Sequence, residues 1–160
     1  MRLYQVAAGA STTRFAYDGL DLIAEYDGSG NVLRRHIFAP DSSSSPGQGM
    51  DRPILTYEGP DTTSGSARFL SADERGGIIG VSDSSGAAIA INTYDEYGIP
   101  GSGNSGRFQY TGQALIPEVG LYYYKARMYS TVLGRANVVI GGALLAYDAA
   151  SIAICTARDK

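Results

Sequence analysis

Four groups of residues in this chain are of types that carry out chemistry in proteins. Asp73-Glu74-Arg75 sets two carboxyls beside a cation; a buried carboxyl with a raised pKa would act as a general acid while its neighbour stayed ionised. Adjacent residues on a tight turn point into water instead, and the sequence places no nucleophile beside them, so the cluster reads as turn chemistry. Gly101-Ser102-Gly103-Asn104-Ser105-Gly106 satisfies G-x-G-x-x-G, but a dinucleotide fingerprint needs a buried strand before it and a helix opening on its last glycine. Tyr94 to Pro100 is turn-like and Arg107 to Tyr110 extended, so this run is expected to be a flexible loop. His36, the one histidine, follows Arg34-Arg35, cations that disfavour its charged form; a solvated or partly packed ring is expected. Cys155, the one cysteine, lies in an apolar tail as a small hydrophobe. One histidine and one cysteine make neither an intrachain disulfide nor a four-ligand zinc site. No catalytic, cofactor-binding or metal-ligating residue is expected, and the chain is read as non-enzymatic.

The elements that would carry these residues are short and β-prone. Leu20, Leu22, Ala24 and Tyr26 alternate with Asp21 and Glu25, the period of a half-buried strand, and Asp27-Gly28-Ser29-Gly30-Asn31 supplies a turn from which Val32 to Phe38 returns antiparallel. Residues 39–50, rich in Ser, Pro and Gly, have no periodicity and read as a surface loop. Ile54 to Tyr57, Arg68 to Leu70, Ile78 to Val81 and Ala87 to Tyr94 follow as a meander, with Asp73-Glu74-Arg75-Gly76-Gly77 and Asp83-Ser84-Ser85-Gly86 as hairpin loops that share the strand near Ile78 to Ser82. Leu121 to Tyr129, read as one strand, would turn Tyr122, Tyr124, Ala126 and Met128 to the core. Ala143 to Ala157, with no turn pattern, is expected to form a helix with Arg158 and Lys160 near its C-terminus.

Composition agrees. In 160 residues there are 21 Gly, 12 Tyr, no Trp and only 18% charged residues, against about 25% in an average domain. The fold expected is mainly β, a curved antiparallel sheet of hairpins. A net charge of −3 and a pI near 5.0 give no field for a phosphate backbone, which excludes nucleic acid as an expected partner. Val138 to Cys155 is apolar but broken by Gly141-Gly142, Asp148 and Ser151, too interrupted for a membrane span. Its expected role is to pack back on the sheet. The first ten residues do not read as a signal sequence.

The dipeptide Tyr-Asp recurs at Tyr17-Asp18, Tyr26-Asp27, Tyr94-Asp95 and Tyr147-Asp148. Tyr closes a strand, Asp caps the turn through its own backbone, and a following Gly takes the left-handed position. With Phe69-Leu70-Ser71-Ala72-Asp73-Glu74-Arg75-Gly76, Arg107-Phe108-Gln109-Tyr110-Thr111-Gly112-Gln113 and Gly120-Leu121-Tyr122-Tyr123-Tyr124-Lys125-Ala126-Arg127-Met128-Tyr129, the chain resembles the Rhs family of YD-repeat proteins, and in particular their Rhs-repeat-associated core. The resemblance covers roughly Arg2 to Arg135, which divides the chain into a core-like β domain, 1–135, and a divergent tail, 136–160.

What the resemblance implies is a piece of a large β-sheet shell enclosing a toxic C-terminal domain, in proteins that bacteria use against competitors or hosts, at the cell surface or secreted. Family members continue after Leu133-Gly134-Arg135 with an Asp-Pro-x-Gly motif whose aspartate takes part in self-cleavage. Here Ala136-Asn137-Val138-Val139-Ile140 stands instead, and the sequence has no Asp-Pro pair. The chain is therefore expected to be a truncated core that does not cut itself. Its function would be that of a structural shell or interaction module, with self-association or other parts of a toxin shell as partners. Exposed Tyr rings, which can stack on sugars, make carbohydrate binding the alternative, and a self-cleaving aspartyl protease is the distant third.

Overall fold

The computed structural model describes residues 2–8, 10–40, 52–125, 127–137 and 152–157. Its strands are β1 (Arg2–Ala8), β2 (Ser11–Asp18), β3 (Asp21–Asp27), β4 (Val32–Phe38), β5 (Pro53–Glu58), β6 (Ala67–Ala72), β7 (Ile78–Ser82), β8 (Ala88–Ile91), β9 (Ala114–Ile116), β10 (Leu121–Tyr124), β11 (Arg127–Ser130), β12 (Arg135–Asn137) and β13 (Ile152–Ala157). Nine form an open antiparallel sheet in the order β13-β1-β2-β3-β4-β5-β6-β7-β8, and four form a second, β12-β11-β10-β9. The meander of hairpins is thus as expected.

One turn builds most of it. At Asp27, Asp73, Asp83 and Asp95 the aspartate N–H donates to the carbonyl four residues on (2.9, 2.9, 3.0 and 3.2 Å), and the N–H of the glycine three residues on donates back to the aspartate carbonyl (3.1 Å each time). The side chain reinforces this: Oδ1 accepts from the N–H groups of residues two and four on, as at Ser29 (2.9 Å) and Asn31 (2.8 Å) for Asp27 and at Tyr97 (2.9 Å) and Ile99 (2.8 Å) for Asp95. The glycines sit at φ of 81° to 89°, where a Cβ is strained. A fifth copy, Gln109 to Gln113, repeats the two backbone bonds at 3.0 Å each with Gln in place of Asp, and holds Thr111 at φ 51°, an outlier for a β-branched residue.

These turns separate a conformational cost from a packing cost. A Cβ at Gly86 meets nothing within 4 Å, whereas one at Gly98 would lie 2.6 and 2.8 Å from carbons of the Tyr110 ring, itself packed on Tyr94 and Tyr122. Gly86→Ala should cost about 1–2 kcal/mol of backbone strain, and Gly98→Ala about 1–3 kcal/mol more for the crowded ring. Equal losses in chemical denaturation would refute the contact.

Two expectations about elements fail. Ile152–Ala157 is a strand paired with β1, from Arg2↔Ala157 to Ala8↔Ile152, so the helix expected over Ala143–Ala157 does not include it; residues 143–151 lie outside the described residues. Ile152, Ile154 and Thr156 are β-branched at alternate positions, and β1 offers an edge of backbone donors and acceptors for them to pair with. Leu121 to Tyr129 is a hairpin. Lys125, at φ 57°, turns the chain so that Tyr124 pairs with Arg127, and the buried set becomes Tyr122, Tyr123 and Met128.

The core lies where the two sheets meet. Val6, Phe15, Leu22, Ile78 and Val81 from the large sheet pack with Phe108, Ala114, Ile116, Tyr123 and Met128 from the segment that forms the small one. Across the loop expected at 39–50, the Ala39 N–H donates to the Arg52 carbonyl at 2.9 Å, so β4 and β5 are joined at a closed neck. The Gly101–Gly106 run is pinned and opens no helix. Asn104 Oδ1 accepts from Thr93 N–H at 2.9 Å, and Asn92 Oδ1 from Ser105 N–H at 2.8 Å.

Candidate functional site

The densest chemistry in the molecule is at Glu25, which the alternation of β3 assigns to the polar face. Phe15 pairs with Glu25 and Ala16 with Ala24, but Tyr17 pairs with Leu22, so the register slips by one residue at Ile23. A single extra residue reverses the side on which every later side chain emerges. Leu22 and Glu25 consequently share the core face, and Ile23 is left exposed.

Glu25 is 0% exposed and its carboxylate is saturated with donors. His36 Nε2 lies 2.9 Å and Arg107 Nε 2.8 Å from Oε1; Arg107 Nη2 is 2.5 Å and Arg34 Nη1 3.3 Å from Oε2. Arg34 also reaches Glu58 at 2.9 Å, and Arg107 Nη1 donates to the Leu115 carbonyl at 2.8 Å. The Arg107 guanidinium sits 5.7 Å from the Phe15 ring centroid. Phe108 stands edge-on to both His36 (4.8 Å) and Phe38 (5.4 Å). Strands β3, β4 and β5 of the large sheet are thereby tied to residues 107–115, which lead into the small sheet.

The carboxylate and guanidinium charges balance, since Glu25 and Glu58 oppose Arg34 and Arg107. In the tautomer that fits its partners, His36 donates from Nε2 to Glu25 and accepts at Nδ1 from Thr56 Oγ1, 3.0 Å away. Burial alone would push the Glu25 pKa up. Donation from His36 and from Arg107 outweighs it and holds the carboxyl well below the usual carboxylate range.

Thr56, His36 and Glu25 form the hydroxyl–imidazole–carboxylate series of an activated nucleophile. Two features set this one apart. Thr56 and His36 are each 4% exposed, so a carbonyl cannot reach the hydroxyl, and the Glu25 carboxylate is already engaged by the bidentate Arg107. The arrangement suits holding two sheets together.

His36 is therefore buried at the centre of the molecule rather than solvated. Asp73 Oδ1 accepts from Arg75 N–H at 2.9 Å and Gly77 N–H at 2.7 Å, the turn role expected of it, and Glu74 is exposed. Cys155 lies on β13 with Gln5 as its Cα partner. Asp148 and Asp159, the aspartates that follow Arg135 in the sequence, lie outside the described residues. Among the described residues no three His, Cys, Asp or Glu side chains could hold a metal ion, and no helix is long and apolar enough to cross a membrane. Tyr rings interlock: Tyr17 with Tyr123 at 6.3 Å, Tyr110 with Tyr122 at 6.2 Å and Tyr124 with Tyr129 at 5.8 Å. Among the described residues Tyr97 is the tyrosine that stands out, 53% exposed.

No family model matches the chain. It is similar to the tRNA3(Ser)-specific nuclease WapA of Bacillus spizizenii and to the tRNA nuclease WapA of Bacillus subtilis, at 29% identity over 133 residues in each case. The match takes in 78% of this chain and 5% of either protein, so the chain spans a small fraction of these relatives. Among solved structures it resembles TcdB2-TccC3 without its hypervariable C-terminal region, with a TM-score of 0.53 and 18% identity over 79% of this chain and 6% of that one.

Proposed function

We propose that this chain, whose fold is Rhs-related, is a non-enzymatic shell or interaction module of an Rhs-type toxin system, made for contact with protein. The observation that carries the reading is the sealed Glu25 cluster, whose charged and titratable side chains bond one another and the backbone between the two sheets. Beside the cluster, the cleft between Tyr17, Leu22, Phe108 and Tyr123 measures about 20 Å3, room for one water-sized body. Relatives named as tRNA nucleases share this segment over a twentieth of their length.

The test is a chimera in which the matched 133 residues of the Bacillus subtilis WapA are replaced by those of this chain. A wall segment leaves tRNA cleavage intact. A chimera that resists proteolysis like the parent yet no longer cleaves would overturn the reading, because the segment would then supply catalytic groups. Binding on a glycan array that disappears with Tyr97→Ala would favour the carbohydrate alternative.

A further inference from the structure

The large sheet ends differently on its two sides. At one side β8 runs into the pinned loop between Asn92 and Ser105. At the other, among the described residues, the last strand is β13, separated from β12 by the fourteen residues from 138 to 151 and paired with β1. That pairing is itself interrupted, with a register shift between Leu3 and Gln5. The strand Ile152-Ala153-Ile154-Cys155-Thr156-Ala157 has no charge and no proline, the devices by which exposed edges avoid unwanted pairing. It has the composition of a strand that adds readily to a free edge.

We infer that the outer edge of β1 is a docking site for an extended strand, and that a second copy of this chain fills it by exchanging Ile152–Ala157. The register and the backbone bonds are the same whether the strand arrives from its own chain or from another, so exchange alters only the tether. Fourteen residues span up to about 48 Å when extended, enough to reach a neighbouring molecule. A short flexible linker would confer an effective concentration on the order of 1 mM, which sets the scale of the comparison. The closed monomer therefore dominates well below that concentration and the exchanged dimer competes near it. This inference is independent of the shell reading, since it concerns one edge and one strand of the chain itself.

The register supplies its own probe, because Cys155 is the Cα partner of Gln5. Directly opposed residues on antiparallel strands stand about 4.5–5.5 Å apart at Cα, a spacing a disulfide accepts. Full-length Gln5→Cys oxidised at about 5 μM should close within one molecule, and at about 2 mM should give a covalent dimer, the two lying on either side of the tether's effective concentration. By light scattering the unsubstituted chain should dimerise increasingly over that range, while the variant locked at low concentration stays monomeric until reduced. Three results would overturn the inference: a monomer at every concentration, equal association of locked and reduced variant, or no disulfide in either regime. The unsubstituted chain decides the first of these without any variant having to fold.

Discussion

Glu25→Gln should lower the unfolding free energy by about 3–5 kcal/mol, the loss typical when one partner of a buried ion pair is removed and the other stays. Arg107, buried and bidentate on Glu25, keeps its charge with no other ion-pair partner among the described residues, whereas Arg34 retains Glu58. Arg107→Met should cost a comparable amount, now because the carboxylate is stranded. The pH dependence has a definite sign. Glu25 is depressed below its ordinary value of 4.5, so its contribution is fully present above that value and fades as the pH falls through and below it. The gap between the parent chain and Glu25→Gln should be widest near neutrality and close on acidification. Urea titrations of both chains from pH 7 to pH 3 measure it; a gap that is constant or widens in acid would contradict the assignment.

Tyr122→Ala should cost about 3–5 kcal/mol, in the range of other large aromatic truncations. Tyr122 is 0% exposed, stands on a strand flanked on both sides, opposite Leu115 and Tyr129, and packs its ring on Tyr110. The small sheet has few other buried groups of that size. Tyr122→Phe is the control. It keeps the ring and removes only a buried hydroxyl, so it should cost at most about 1–2 kcal/mol, well below the loss for Tyr122→Ala. Similar losses in the two variants would mean that the hydroxyl, not the ring, holds the strand.

Where the determinants are local, the fold was legible. An aspartate followed three residues later by glycine fixes a turn with its own side chain and one left-handed residue, so the hairpins at Asp73, Asp83 and Asp95 follow from a handful of adjacent residues. The copy at Gln109 was hidden because Gln lacks the short side chain that marks the others. Glu25 was misplaced for a different reason: alternation counts residues, and the slip at Ile23 changes the count without changing the pattern of polar and apolar residues. A carboxylate set between apolar neighbours in Leu22-Ile23-Ala24-Glu25-Tyr26 was the available signal. Its partner Arg107 lies 82 residues away, beyond the reach of any local period. The same holds for Ile152–Ala157, whose conformation is decided by the edge of β1 at the far end of the chain.

Native-state hydrogen exchange of the Glu25→Gln chain against the parent tests most directly whether the buried cluster fastens the two sheets. Protection should fall together in β3 to β5 and in residues 107–116, including the Leu115 N–H bonded to the Arg107 carbonyl at 2.8 Å, while the Asp83 hairpin, which shares no bond with the cluster, keeps its exchange rates. Loss of protection confined to β3 and its neighbouring strands, with residues 107–116 unchanged, would contradict it.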